Sequence, residues 1–189
     1  MKRQLIIIML AALTLVSCGK TQLTPDFNEL QDMMYRSESM SVSSFEFHLA
    51  ADGYGWKWVS TNEILSNNKL SKDDFYKDLM GMSPSYYYFE GNTFTQFWFS
   101  DARPAKCFSE IAYEYRSSTI WRYGMAGSKM VMKVLSINSN QMVCIEYLGV
   151  KGQPDGTLGD IYGLTVYSRM TEEELAKVRE EYNVCVFTD

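Results

Sequence analysis

Residues 86–99 read YYYFEGNTFTQFWF, two runs rich in aromatic residues on either side of Gly91-Asn92. Aromatic side chains favour the half-buried surface of a pleated strand. Glycine and asparagine tolerate the positive φ that a tight two-residue hairpin turn requires. The stretch therefore predicts an antiparallel hairpin.

Further strands are predicted on both sides of this hairpin, from alternating apolar and polar residues or short apolar runs. They lie at residues 45–49, 56–58, 111–116, 119–123, 131–137, 142–148, 161–168 and 184–187. Most connections are tight turns, which favour an up-and-down meander, and closing a meander into a barrel removes its exposed edges. The sequence predicts a mainly β fold, an antiparallel up-and-down barrel of about eight strands. A β-sandwich or an open curved sheet remains the alternative.

Three helices are predicted around these strands. Thr24-Pro25 is a helix start, and apolar residues at helical spacing extend it over 25–35. Ser71 with Asp74 is a cap signal that predicts a short helix at 72–80. The capping box formed by Thr171 and Glu174, followed by an apolar face, predicts a C-terminal helix over 171–182.

The first residues have the pattern of an export signal. Lys2 and Arg3 precede the apolar stretch 5–16, whose twelve residues span about 18 Å as a helix, too short for a bilayer core of about 30 Å. Leu15-Val16-Ser17-Cys18 resembles the bacterial lipobox, which implies cleavage before Cys18 and lipidation of its sulfur. The predicted organisation is a signal peptide at 1–17, a lipidated tether with a short helix at 18–44, and a β domain at 45–189.

Charge and cysteine content limit the possible partners. Removing residues 1–17 takes away two of the 18 basic side chains and no acid, so the formal charge falls from −5 to −7. With no basic patch, nucleic acid is not expected as a partner, and the acyl chains must provide the membrane anchor. Gly19 follows Cys18 where an Asp would be expected for retention, so the chain resembles lipoproteins sent to the outer membrane more than those kept at the inner one. The tether also lacks the acidic run of some surface-exposed lipoproteins, which favours the periplasmic side over the cell surface. Cys107, Cys144 and Cys185 allow at most one internal disulfide, and their pairing stays open.

Several stretches resemble the lipocalin-like lipoproteins of bacteria over about residues 50–187. They are Gly55-Trp56-Lys57-Trp58, the aromatic hairpin at 88–94, and the paired runs 133–137 and 141–145. The order of last strand, helix and short tail strand also agrees. The resemblance implies a lipocalin-like barrel with a helix against its outer wall.

No residue pattern points to catalysis, a metal or a cofactor. His48, the one histidine, has apolar neighbours, and no nucleophile–base pair or metal-ligand spacing is present. Glu114 and Glu146 lie among aromatic residues on strands, but nothing in the sequence brings them together, and the prediction is that both are solvated. We therefore expect a protein that is not an enzyme.

Aromatic side chains on the strands are the one suggestive feature for binding. An eight-stranded barrel is just wide enough to hold one small ligand or to be filled by its own side chains, and the sequence leaves both possibilities open. If a ligand binds, we expect a small hydrophobic or aromatic molecule, with Trp58, Tyr113, Tyr115 and Tyr162 as candidate contacts. The alternative is a structural or protein-interaction lipoprotein with a filled core, which would use the segment 62–84 and the outside of the sheet.

Overall fold

The computed structural model describes residues 27–35, 49, 55–77, 84–100, 105–124, 127–153 and 156–184. Helix α1 is Phe27–Tyr35, and helix α2 is Glu172–Glu181. The first five strands are β1 Gly55–Ile64, β2 Leu70–Asp74, β3 Tyr86–Glu90, β4 Thr93–Ser100 and β5 Ala105–Arg116. The remaining strands are β6 Thr119–Gly124, β7 Gly127–Ile137, β8 Gln141–Gly152, β9 Leu158–Arg169 and β10 Asn183–Val184. None of the helices in these ranges is long and apolar enough to cross a bilayer.

Eight strands form a closed antiparallel barrel. Neighbours around the barrel are β1, β3, β4, β5, β6, β7, β8 and β9, and β9 pairs with β1 to complete the circuit. Two short strands lie outside this circuit, since β2 pairs only with β1, and β10 pairs in parallel with β5. The predicted up-and-down barrel is thus confirmed, and neither the sandwich nor the open sheet applies.

Tight hairpins close one end of the barrel. Gly91 has φ +58° between β3 and β4, while Ser117 and Ser118 have φ +50° and +60° between β5 and β6. Two consecutive residues with positive φ match the twist of antiparallel strands in a two-residue turn. We call this end, which also holds Gly55 and the β7–β8 turn, the closed end.

The strands part at the opposite end, which we call the open end. Pairing of β7 with β8 stops at Met132 and Glu146, although β8 continues to Gly152 and β7 begins at Gly127. Pairing of β1 with β3 is confined to Gly55–Tyr88 and Trp56–Tyr87. Beyond those points the wall divides, and the sheet β2–β1–β9–β8 separates from the rest.

Two local predictions are wrong. The segment 72–80 is not helical where it is described, because Leu70–Asp74 pairs with β1 and residues 75–77 form a turn. The Asp74 carboxylate accepts from the backbone N–H of Tyr76 and of Thr61, so the apparent helix cap stabilises a turn and a strand contact. Leu49, the one described residue of the predicted strand 45–49, is helical and buried, since five alternating residues are too few to fix a period.

The apolar side chains form two clusters, one on each side of the barrel wall. The inner cluster fills the closed end and includes Trp56, Phe89, Phe94, Ile120, Met132 and Tyr167. The outer cluster lies between α1 and the outside of β8 and β9, and it includes Leu30, Met33, Val143, Leu164 and Val166. Helix α1, predicted over 25–35, therefore packs on the barrel from outside.

Helix α2 also lies outside the barrel, held by polar contacts. Thr171 and Glu174 form the predicted capping box. Lys57 of β1 pairs with Glu174, Lys106 of β5 pairs with Glu181, and the Arg179 guanidinium lies 4.1 Å from the Tyr88 ring centre. No residue of α2 is buried, so this helix covers the wall without contributing to the core.

Cys107 is disulfide-bonded, whereas Cys144 is a buried free thiol. The other two cysteines, Cys18 and Cys185, lie outside the described residues. Cys185 follows directly after β10, which runs beside Cys107, so we expect the bond to join Cys107 and Cys185. Peptide mapping of the unreduced protein by mass spectrometry tests this. A Cys18–Cys107 peptide would contradict both this pairing and the lipidation of Cys18.

Candidate functional site

A buried carboxyl group lies inside the barrel at the level where the wall begins to divide. Met142, Cys144 and Glu146 alternate onto the inner face of β8, and Glu146 is only 7% exposed. The Tyr167 hydroxyl is 2.9 Å from both carboxylate oxygens of Glu146 and donates to them. The Tyr87 hydroxyl donates to Oε1 across 3.3 Å. The two phenols therefore satisfy Glu146 from the closed-end side.

The surroundings of Glu146 favour its neutral form. Burial raises its pKa above the usual value, and hydrogen bonds from Thr165, Tyr167 and Tyr87 offset part of that rise. None of the ion pairs within the described residues includes Glu146. Burial and the nearby carboxyl raise the pKa of both tyrosines well above their usual value, so they remain hydrogen-bond donors at neutral pH.

Glu146, Tyr167 and Tyr87 form a polar layer inside the barrel, and a second set of hydrogen bonds extends this layer towards β1. The Trp58 indole N–H donates to Thr61 Oγ1 across 2.9 Å, and the Thr61 and Thr165 hydroxyls lie 2.9 Å apart. The Tyr76 ring meets Trp58 edge-on with 5.9 Å between centroids. Burial, then the charges of Glu146 and Asp74, raise the pKa of Tyr76. The turn after β2 thus places an aromatic side chain over the polar layer.

A small cavity adjoins Glu146 where β7 and β8 separate. Its volume is about 110 Å³, and its lining includes Tyr87, Phe94, Gln96, Arg122, Met130 and Glu146. The Gln96 amide donates to Ser85 Oγ across 2.8 Å. The cavity offers hydrogen-bonding groups of both kinds above an aromatic floor, which suits one polar group of a ligand.

A larger cavity lies at the open end, on the side formed by β1, β2, β8 and β9. Its volume is about 660 Å³, and its lining includes Glu63, Asp74, Phe75, Leu148, Lys151 and Ile161. Glu63 and Lys151 pair across 2.9 Å, which neutralises one acid of the lining. The volume lies within the range of about 300–1,000 Å³ typical of small-molecule sites.

Gly163 keeps space free beside this cavity. A Cβ at this position would lie 2.6 Å from Leu148 Cδ1 and 2.8 Å from Thr61 Cγ2, closer than such contacts allow. The missing side chain therefore lets Leu148 and Thr61 approach each other across β9.

The structure separates the four aromatic residues that the sequence suggested as ligand contacts. Trp58 lies in the polar layer. Tyr113 and Tyr115 share the inner face but belong to the closed end, where the Tyr113 hydroxyl donates to the Gly91 carbonyl. Tyr162 is on the outer face and contacts Tyr147. Cys18 lies outside the described residues, so its lipidation remains a prediction.

The prediction that Glu146 is solvated is wrong, and this is the residue that sequence reasoning missed. Its neighbours Val143 and Ile145 are as apolar as Met142 and Cys144, so alternation along β8 does not tell which face is inside. Glu114 alternates with Tyr113 and Tyr115 and so lies on the outer face. The two carboxylates are therefore on opposite sides of the wall.

The cavity beside Glu146 is lined by both hydrogen-bonding and aromatic side chains. Among the described residues, no three histidine, cysteine or acidic side chains are grouped closely enough to hold a metal ion.

No protein-family model matches the chain, and no curated protein matches its sequence.

Proposed function

We propose that this chain is a lipoprotein of the bacterial cell envelope, anchored through Cys18, whose barrel binds a small and mostly apolar molecule at its open end. The observation that supports binding is the cavity of about 660 Å³ beside β1, β2, β8 and β9. Phe75, Leu148 and Ile161 give it apolar walls. A barrel of this size with space left inside has room for one such ligand.

The polar layer indicates what the ligand carries besides its apolar body. Glu146, Gln96 and Arg122 line the smaller cavity, and all three can form hydrogen bonds. A buried hydrogen-bonding group discriminates strongly against ligands that leave it unpaired. We therefore propose a ligand with one polar group on an otherwise apolar or aromatic skeleton.

The proposed location rests on the N-terminal sequence and on one disulfide. The lipobox resemblance supports a lipid anchor in the outer membrane, facing the periplasm. Disulfides persist in exported proteins and are rare in the reducing cytosol, so the bonded Cys107 supports export.

Binding is tested with the neutral apolar dye N-phenylnaphthylamine, whose fluorescence rises in apolar pockets. Ile161→Trp places an indole in the larger cavity, and we expect the affinity for the dye to fall at least about tenfold, equal to about 1.4 kcal/mol. Glu110→Trp is the matched control, because Glu110 is exposed on the outer face of β5.

Three outcomes would contradict the proposal. They are no binding of the dye to the wild-type protein, equal affinity of the two variants for the dye, and a loss of affinity in Glu110→Trp alone. Crosslinking in cells that yields a discrete protein partner, together with absent dye binding, would favour the structural or protein-interaction alternative.

A further inference from the structure

All large hydrophobic side chains that are exposed in the described part of the chain lie at the open end. They are Leu158 at 73% exposed, Val150 at 54%, Tyr147 at 45% and Leu65 at 37%. Three of them belong to the β8–β9 hairpin, and Leu65 begins the β1–β2 turn. We infer that the outer face of this hairpin rests on the bilayer to which the chain is tethered, an inference that depends on the proposed lipid anchor.

Strand register puts the three hairpin residues on one face. Val150 is opposite Asp160, Tyr147 is opposite Tyr162, and Leu158 shares the parity of both partners along β9. Directly paired residues in an antiparallel sheet point to the same side. Leu158, Val150 and Tyr147 therefore lie on one outward face of the hairpin, a mainly apolar strip that also includes the Asp160 carboxylate.

The same outer face continues into the surface that α1 covers. Leu164 and Val166 follow Tyr162 at alternate positions of β9, and they pack against Leu30 of α1. Helix α1 covers β9 at Leu164 and Val166 and leaves the β8–β9 hairpin beyond Tyr162 uncovered. The exposed strip is thus the uncovered continuation of a surface whose other half is already buried.

Helix α1 also connects this strip to the membrane. The Gln31 side chain donates to the Asn68 carbonyl and accepts from the Leu70 backbone N–H, which fixes α1 beside the β1–β2 turn at the open end. Cys18 precedes Phe27 by nine residues, a span of at most about 30 Å when extended. The acyl chains therefore hold the open end within reach of the lipid surface.

This tether is the reason to choose a bilayer over a second copy or a soluble partner. A contact with the bilayer is intramolecular for an anchored chain, so its effective concentration is high even when the contact is weak. Tyr147 and Tyr162 suit the interface between headgroups and acyl chains, and Leu158 suits the apolar layer below. With its open end against the lipid, the barrel exchanges an apolar ligand with the membrane without exposing it to water.

The test uses the lipidated full chain in phosphatidylcholine vesicles that contain doxyl-labelled lipid. Leu158→Cys carries a nitrobenzoxadiazole fluorophore on the hairpin, and Ser139→Cys carries it on the exposed β7–β8 turn at the closed end. Cys144 is buried, and the wild-type chain put through the same labelling gives the background. We expect the doxyl lipid to quench at least about half of the signal at position 158 and little at position 139.

Flotation of the vesicles separates the two proposals. Protein that floats, with equal quenching at both positions or none at position 158, overturns the membrane contact and leaves the anchor standing. Crosslinks from position 158 to another protein chain, without quenching, overturn it in favour of a protein occupant. Protein that does not float and has no acyl mass overturns the anchor itself.

Discussion

Replacing Trp56 with alanine is expected to lower the free energy of unfolding by about 3–5 kcal/mol. Trp56 is fully buried and is the largest side chain of the inner cluster at the closed end. It lies opposite Tyr87 in the short β1–β3 pairing that completes the barrel. Its loss removes a large apolar surface and leaves a void that the closed wall cannot fill. Urea denaturation followed by circular dichroism measures the change.

Trp121→Ala is the matched control for this prediction. Trp121 is opposite Glu114 on the outer face, is partly exposed, and has the Arg116 guanidinium 4.8 Å from its ring centre. Since less of its surface is buried, we expect a loss below about 2 kcal/mol. Similar losses for both variants would contradict the assignment of Trp56 to a sealed core.

Tyr167→Phe is expected to lower the free energy of unfolding more near pH 8 than near pH 5, and the loss should approach about 1.5–3 kcal/mol, the range for a hydrogen bond to a charged group, as Glu146 ionises. The Tyr167 hydroxyl donates to both oxygens of Glu146 inside the barrel, so its loss leaves a carboxylate poorly satisfied. Near pH 5 more of Glu146 is protonated, and the cost should fall towards that of a neutral hydrogen bond, about 1 kcal/mol. Denaturation curves at the two pH values give the difference.

The pH dependence of the wild-type protein follows from the same group. The folded-state pKa of Glu146 lies above its ordinary value of 4.5, so its contribution to stability is complete below 4.5 and is lost as the pH rises through the folded-state pKa. Glu174 and Glu181 have lowered pKa values, so their contributions are lost only as the pH falls below 4.5. As the pH rises above 4.5, the decrease in stability should therefore be smaller in Glu146→Gln. Identical slopes in the two proteins would contradict a buried carboxyl at this position.

Local sequence signals predicted the regular parts of the barrel well. Two hairpins are specified by the backbone geometry of their turns, at Gly91-Asn92 between the aromatic runs and at the double serine 117–118. The C-terminal helix is specified by its first turn, where Thr171 and Glu174 form the capping box. The segment 62–77 was missed because its structure depends on distant contacts. β2 is polar along most of its length, and it is held by pairing with β1 and by packing of Leu70 against α1.

The interior of the site was less predictable than the barrel around it. Whether Glu146 faces inwards depends on the register between β8 and β9, and both faces of β8 carry apolar residues. The smaller cavity arises where the β7–β8 pairing ends, and no local pattern marks that point. The sequence pattern around Tyr162 does not tell an inner residue from an outer one. Tyr162 lies on the outer face of β9, which α1 buries only at Leu164 and Val166.

Native mass spectrometry of the mature protein, purified from cells that make it, tests most directly whether the barrel holds an apolar molecule. The account predicts a fraction of the protein with a non-covalent adduct on the order of a few hundred daltons, the size of a ligand that fills such a pocket. It also predicts that this adduct is extracted by organic solvent and is missing from Ile161→Trp. An adduct-free wild-type spectrum that stays unchanged after incubation with cell-envelope lipid extract would contradict it.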